Sequence, residues 1–194
     1  MDCYLRADRI CTDENRTKKW REGGLYRARL GLESGSQRIL DDMVKMTTPE
    51  KMEKSLYALS KHGILTSTLW IVGYSGETDD EFESSMSFLE NNHENIYQAD
   101  PWIFQYHPTG LSGSAEFEKN KTSKTRFSDE INKILSVSPY VLDDGLETAE
   151  KFNRLERFTN KLEQLKIPNP YSMIETMKAQ NRFTQLHTDC GWDP

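Results

Sequence analysis

Cysteine is scarce: the 194-residue chain has three, Cys3, Cys11 and Cys190. An odd, irregularly spaced set builds neither a disulfide framework nor a CxxC-type zinc site, so these are read as packing thiols. Long apolar runs are missing as well. No stretch approaches the roughly 20 residues that span a bilayer. The opening Met1-Asp-Cys-Tyr-Leu-Arg6 has neither the charged start nor the apolar run of a signal peptide, and the chain is read as cytoplasmic. There is no basic stripe, and a formal net charge of -6 argues against a general nucleic-acid surface. Apolar residues make up only 36% against 29% charged, with a mean hydropathy of -0.76. Such a chain covers much surface for its core, or lacks a segment that would complete it. The length suits one domain, or one domain with an extension. No internal repeat of fixed period is present.

What the chain does have is organised around Leu30-Gly-Leu-Glu-Ser-Gly-Ser36 and the run before it from Tyr26. In a strand successive side chains point to opposite faces. Tyr26, Ala28, Leu30 and Leu32 therefore share a core-seeking face, and Arg27, Arg29, Gly31 and Glu33 share one that wants water or a polar cavity. Ser36 follows as an N-cap, and Ile39, Leu40 and Met43 repeat at helical spacing. A carboxylate at the C-terminal tip of a strand, before a small-residue turn into a helix, is where βα architectures place ligands. The free N–H groups at such a helix start favour an anionic group. The competing reading is a surface turn in which Ser36 merely caps and Glu33 is solvated.

The rest of the chain alternates. Cys3 to Ile10 suits a short strand, and Thr12 or Asp13 caps a helix that stops at Gly23-Gly24. Thr48-Pro49 restarts a helix carrying Met52, Leu56 and Leu59 on one face. Ile64 to Tyr74 is the most apolar, β-rich run and reads as a buried strand. Thr78-Asp-Asp-Glu81 is a capping box opening a helix with Phe82, Met86 and Leu89 on one side. Tyr97 to Tyr106 is a further strand. This order predicts an α/β fold with a parallel sheet and right-handed crossovers. Beyond about Glu116 the pattern turns polar and then helical, with Phe152, Leu155, Phe158, Leu162 and Leu165 as an apolar stripe. A last helix is expected from Pro170. The division is residues 1–115 as the sheet unit and 116–194 as a helical extension.

Three motifs in this order, Arg29-Leu-Gly-Leu-Glu-Ser-Gly-Ser-Gln-Arg-Ile-Leu-Asp41, Lys45-Met-Thr-Thr-Pro49 and Ile71-Val-Gly-Tyr-Ser-Gly-Glu-Thr78, resemble the second half of radical S-adenosylmethionine enzymes. They are most similar to the large group whose members often carry an upstream cobalamin-binding domain. The extension, with Ile167-Pro-Asn-Pro-Tyr-Ser172 and Leu186-His187, is similar to tails in peptide natural-product pathways. The resemblance implies a TIM-barrel-like partial βα barrel of six parallel strands, of which this chain supplies the last four. In the family the first strand carries CxxxCxxC, the ligands of a 4Fe-4S cluster that chelates S-adenosylmethionine. No cysteine here has that spacing, and the glycine-rich motif of the second strand is absent too. The chain is therefore expected to be the C-terminal part of a longer enzyme and inactive alone.

The resemblance also implies roles. Glu33, helped by Ser34 and Ser36, would contact the ribose or methionyl end of S-adenosylmethionine, since a carboxylate accepts from vicinal hydroxyls or pairs with an ammonium. Arg6 would grip the methionyl carboxylate, although an Arg on a short strand also suits a surface ion pair. Ile71 and Gly73 would pack the adenine; the family usually has Pro where Ser75 stands. His107, beside Tyr106, would lie near the adenine or substrate, and otherwise reads as a capping histidine. The implied chemistry is reductive cleavage to a 5′-deoxyadenosyl radical, or cobalamin-mediated methyl transfer. The implied cofactors are S-adenosylmethionine, the 4Fe-4S cluster and, in some members, cobalamin. The alternative is a non-catalytic interaction module built on a degenerate half barrel. Expected partners are the missing N-terminal half of the same enzyme and, for the chain alone, a second copy in a homodimer that covers the open side.

Overall fold

The computed structural model describes residues 1–104, 121–123, 140–142, 146–169, 182–183 and 185–186. Four strands form one sheet in chain order, with every neighbouring pair parallel: β1 (Asp2–Leu5), β2 (Arg27–Glu33), β3 (Leu65–Val72) and β4 (Gln98–Ile103). Helices α1 (Glu14–Glu22), α2 (Gln37–Asp42), α3 (Pro49–Lys61) and α4 (Asp79–Asn92) carry the crossovers. This is the α/β parallel architecture that the alternation predicts.

Local chemistry sets the helix starts. Asp13 accepts from the backbone N–H groups of Asn15 and Arg16. Ser36 accepts from Ile39, and Thr48 accepts from Lys51 with Pro49 in the first helical position. Thr78 and Glu81 form both halves of the capping box. The first strand is shorter than expected. After Leu5 the chain turns, because the Asp8 carboxylate accepts from the Ile10 amide at 2.8 Å and the Asp8 carbonyl accepts from that of Cys11.

The main core lies on one side of the sheet. Ala28, Leu30 and Leu32 of β2 are fully buried against Leu40, Met52, Leu56 and Leu59. Trp70 of β3 is buried between Phe88 and Phe158, with ring centroids at 5.8 and 5.5 Å, and its indole N–H donates to Thr68 Oγ1 at 2.9 Å. Tyr26, expected on this face, is 42% exposed, since it lies ahead of the residues that pair in β2.

Helix α5 (Thr148–Gln164) joins the same core through Phe158 and Leu162, so the predicted stripe lands on the side of the sheet that α4 covers. Its Phe152 stays exposed. The polar tract also holds a feature the sequence pattern does not announce, an antiparallel ribbon of β5 (Lys121–Ser123) and β6 (Tyr140–Leu142). Phe183 stacks edge-on against Tyr97 at 5.7 Å, next to Leu65 at the N-terminal end of the strands. No helix among the described residues is long and apolar enough to cross a membrane.

Candidate functional site

The register of the sheet puts alternate residues in rows on the face opposite α1 to α5. Tyr4, Arg29, Ser67 and Gln98 are aligned, then Gly31, Leu69 and Asp100, then Ile71 and Trp102 at the C-terminal end. In a parallel sheet that end is where ligands bind. Tyr4 is 72% exposed and Trp102 57% exposed. Near the other end Asp2 takes a two-point grip from Arg29, at 3.0 and 2.8 Å. The hydrogen bond from Arg29 holds the Asp2 carboxyl below its ordinary range. Ser67 Oγ and Arg27 Nε are buried on this side with no hydrogen-bond partner.

Glu33 ends β2 in the left-handed region, at φ 67°, where the register with β3 shifts by a bulge. Its carboxylate folds back over Gly31, where a Cβ would collide with it. There it receives Lys45 Nζ at 2.6 Å. Lys45 is flanked by Val44 and Met46, both also at positive φ (53° and 55°) and both exposed. A left-handed β-branched residue is a true outlier. The strain in the described chain is thus concentrated around one ion pair at the ligand end of the sheet, since only Lys166 among other non-glycine residues shares it.

The turn after Glu33 is closed on itself. Ser34 is buried against Ser85, with hydroxyls 3.3 Å apart, and also accepts from the Ser36 amide. Gly35 lies so close to α4 that a Cβ would come within 2.7 Å of Ser85 Cα. Ser36 caps α2 and donates to Glu81. Ser34 and Ser36 therefore use their hydroxyls inside the turn. The α2 helix has only six residues, and its start is satisfied by Ser36.

At the end of β3, Ile71 is half-buried on the inner face and Gly73 is buried at φ 74°. The Gly73 amide donates to Glu77 Oε2 at 3.1 Å, and Glu77 meets Arg154 Nη1 at 2.8 Å. Burial pushes the Glu77 carboxyl up against the pull of Arg154 and the Gly73 amide. At Arg154 burial acts the other way, yet the hydrogen bonds it donates to Glu77 and Glu150 outweigh it and raise the guanidinium. Arg6 lies just past β1 with an exposed side chain that makes no ion pair with the described residues. His107 lies outside the described residues. Sequence reasoning missed Lys45 as the partner of Glu33, although it opens the quoted motif Lys45 to Pro49. It also missed Arg154, for which no local signal exists.

Two of the three cysteines, Cys3 and Cys11, lie among the described residues. Cys3 is partly exposed on β1. Cys11 is buried with its thiol donating to the Arg6 carbonyl at 3.0 Å, and burial pushes that thiol up to about 11. Among the described residues no three His, Cys, Asp or Glu converge on a metal position. Toward the C-terminal end of the face opposite α1 to α5 lie the Glu33 carboxylate, half-buried Ile71 and Trp102 at 57% exposure.

Comparison with known proteins adds to this geometry. The family described as the Radical SAM superfamily matches residues 2–89. A tRNA-2-methylthio-N(6)-dimethylallyladenosine synthase of Ehrlichia ruminantium (strain Welgevonden) is 33% identical over 90 residues, covering 45% of this chain and 19% of the relative. An anaerobic magnesium-protoporphyrin IX monomethyl ester cyclase of Rubrivivax gelatinosus is 30% identical over 153 residues, covering 77% of this chain and 26% of the relative. The chain thus spans only about a fifth to a quarter of these relatives. Among solved structures, coproporphyrinogen III oxidase from Escherichia coli, a radical SAM enzyme, superposes with a TM-score of 0.61. That match has 13% identity over 84% of this chain and 31% of the other, and so speaks for the fold alone.

Proposed function

The sheet unit of this chain belongs to the radical S-adenosylmethionine superfamily, and from that premise we propose that it supplies the nucleoside-binding strands of a longer radical enzyme. The observation that carries this reading is the strained Glu33–Lys45 pair at the C-terminal end of β2. Backbone strain persists only where the surroundings over-determine it, and it gathers at ligand clamps. Glu33 accepts from the ribose hydroxyls or the methionyl ammonium, and Lys45 gives way or turns to an anionic group of the ligand. Ile71 forms the wall for the base, with Gly73 bringing the backbone close. Arg6, just past β1 and exposed, makes no ion pair with the described residues and is available to the methionyl carboxylate. Ser34 and Ser36 act indirectly, by fixing the turn from which Glu33 projects.

Bound there, S-adenosylmethionine supplies the radical or methyl-transfer chemistry, and the protein orients it. The cluster that family members use needs thiolates this chain does not offer, so no step of the reaction is assigned to these residues. The open edge of β1 and the exposed Tyr4 and Trp102 suit the remaining strands of the same enzyme. In their absence a second copy of the chain would take that place.

Titration of the isotope-labelled chain with S-adenosylhomocysteine tests the reading. Amide shifts confined to Gly31, Glu33, Lys45 and Ile71 to Gly73 are expected, with weak affinity in the absence of the other strands. No shift at millimolar ligand, or shifts on the helical side of the sheet, would overturn it. Anaerobic reconstitution with iron and sulfide should leave no stoichiometric four-iron cluster. A chain that binds no nucleoside yet forms a defined heterocomplex would instead be an interaction module.

A further inference from the structure

The Glu77–Arg154 pair links residues 77 apart in sequence, and both side chains are almost fully buried, at 1% and 3% exposure. Arg154 makes more contacts than an anchor for a helix needs. Its Nη1 donates to the Glu77 carboxylate at 2.8 Å and to the Glu77 carbonyl at 3.1 Å. Its Nη2 reaches Asp79 at 2.9 Å, its Nε reaches Glu150 at 3.1 Å, and the guanidinium lies over the Phe82 ring. The Glu77 oxygen that Arg154 holds is the one that accepts from the Gly73 amide. One turn earlier on α5, the stem of Lys151 lies where a Cβ on Gly73 would be, 2.9 Å from its Cγ. Two residues of α5 thus fix residue 73, one through a carboxylate to its N–H and the other against its Cα. The Glu77 amide closes the same turn on the Tyr74 carbonyl at 3.0 Å.

We propose that Arg154 is a positioning residue for the nucleoside site, acting through Glu77 to hold the Gly73 to Gly76 turn at the ligand end of β3. This rests on the reading of Ile71 and Gly73 as the wall for the base. Removal of Arg154 leaves the Glu77 carboxylate buried without its cation, still accepting from the Gly73 amide. Such a group must take up a proton or move toward water, and either change loosens the Gly73 N–H and the strand end that carries Ile71. The C-terminal helix is on this account part of the binding site, though it lies on the opposite side of the sheet.

The experiment compares Arg154→Met, Glu77→Gln, their double variant and, as a control on the same helix, Arg157→Met. Arg157 pairs with Glu83 and also covers Phe82, but does not touch Glu77. The readouts are exchange protection of the Gly73 amide in the free chain and affinity for S-adenosylhomocysteine. Arg154→Met and Glu77→Gln should each lower both by about tenfold or more, and the double variant should add little to either. Arg157→Met should leave both near the unmutated values. Where Arg154→Met does not fold, Arg154→Lys keeps the charge without the fork and should show the same losses at reduced size. Unchanged Gly73 protection in a folded Arg154 variant overturns the proposal, as does an equal loss in Arg157→Met. If the unmutated chain binds no nucleoside, the functional reading falls, and the positioning of a nucleoside falls with it. The Gly73 amide then still decides whether the turn answers to Arg154.

Discussion

Along β2 the two faces of the sheet diverge residue by residue. Ala28, Leu30 and Leu32 have no exposed surface, while Arg29, Gly31 and Glu33 are partly open and Arg29 and Glu33 carry ion pairs. On β3 the same holds: Trp70 and Val72 are buried, and Leu69 and Ile71 are half-open. The helical face holds the main apolar core, and the Trp70 indole buried in it is matched by Thr68. The other face holds exposed aromatics, a strained ion pair and the unpartnered Ser67 hydroxyl. The difference teaches that, among the described residues, the helical face carries most of the buried apolar core while the C-terminal half of the other face carries the charge and the strain.

Two tryptophans put the largest number on this contrast. Trp70→Ala should cost about 3–5 kcal/mol, the usual range for emptying a packed aromatic site. Trp102→Ala, on the open face, should stay within about 0.5 kcal/mol, as surface changes do. Urea titration measures both. The exposed Trp102 and Tyr4, with the unpaired edge of β1, should also drive self-association, which light scattering would register. Trp102→Ala should weaken it. A large stability loss in Trp102→Ala would mean that the open face is part of the core after all, and the contrast would fail.

Glu33→Gln comes next in size. It removes the charge and keeps the shape, so a charge-assisted hydrogen bond to the ligand should be lost at about 1.5–3 kcal/mol, or roughly one to two decades of affinity. Calorimetry on the chain, or on the assembled enzyme, measures it. Unchanged affinity with unchanged stability would remove Glu33 from the site and leave the open face without its defining polar group.

How much of this was legible in the sequence depends on how local the cause is. Thr48-Pro49 and Thr78 to Glu81 announce helix starts because cap and amide lie within three residues, and both form as written. The buried strand from Ile64 was legible from its continuous apolar run. The face assignment in β2 was legible except at Tyr26, because periodicity says which residues alternate but not where pairing begins. Glu33 as a strand-end carboxylate was visible, but its partner Lys45 was not, since a bulge and a left-handed turn bring the two together. Arg154 was illegible for a stronger reason. The stripe of Phe152 to Leu165 identifies a helix with an apolar side but does not say which face of the sheet receives it, and the buried pair with Glu77 follows from that docking.

The smallest expected effect concerns Glu81, which lies on the helical side yet reaches the turn after Glu33 through Ser36. Its carboxylate takes two contacts from Arg38, one of them Nη2 to Oε2 at 2.7 Å, and accepts from the Thr78 amide. The hydrogen bonds from Arg38 hold it at about 2, below its ordinary value of 4.5. A carboxyl lowered by folding contributes stability that is present in full above its unfolded value and lost as the pH falls through the folded one. Glutamine also suits the third position of a capping box, so Glu81→Gln removes chiefly the charge. Arg38 is nearly half exposed, and solvent screening keeps the cost at neutral pH to about 1 kcal/mol. Denaturation of both chains between pH 7 and pH 2 should show this gap constant down to about pH 5 and closing toward pH 2. In an Arg38→Met background the gap should be small at every pH. A gap that persists unchanged to pH 2 would show that Glu81 acts by shape rather than charge, and would detach the turn after Glu33 from electrostatic control by the helical side.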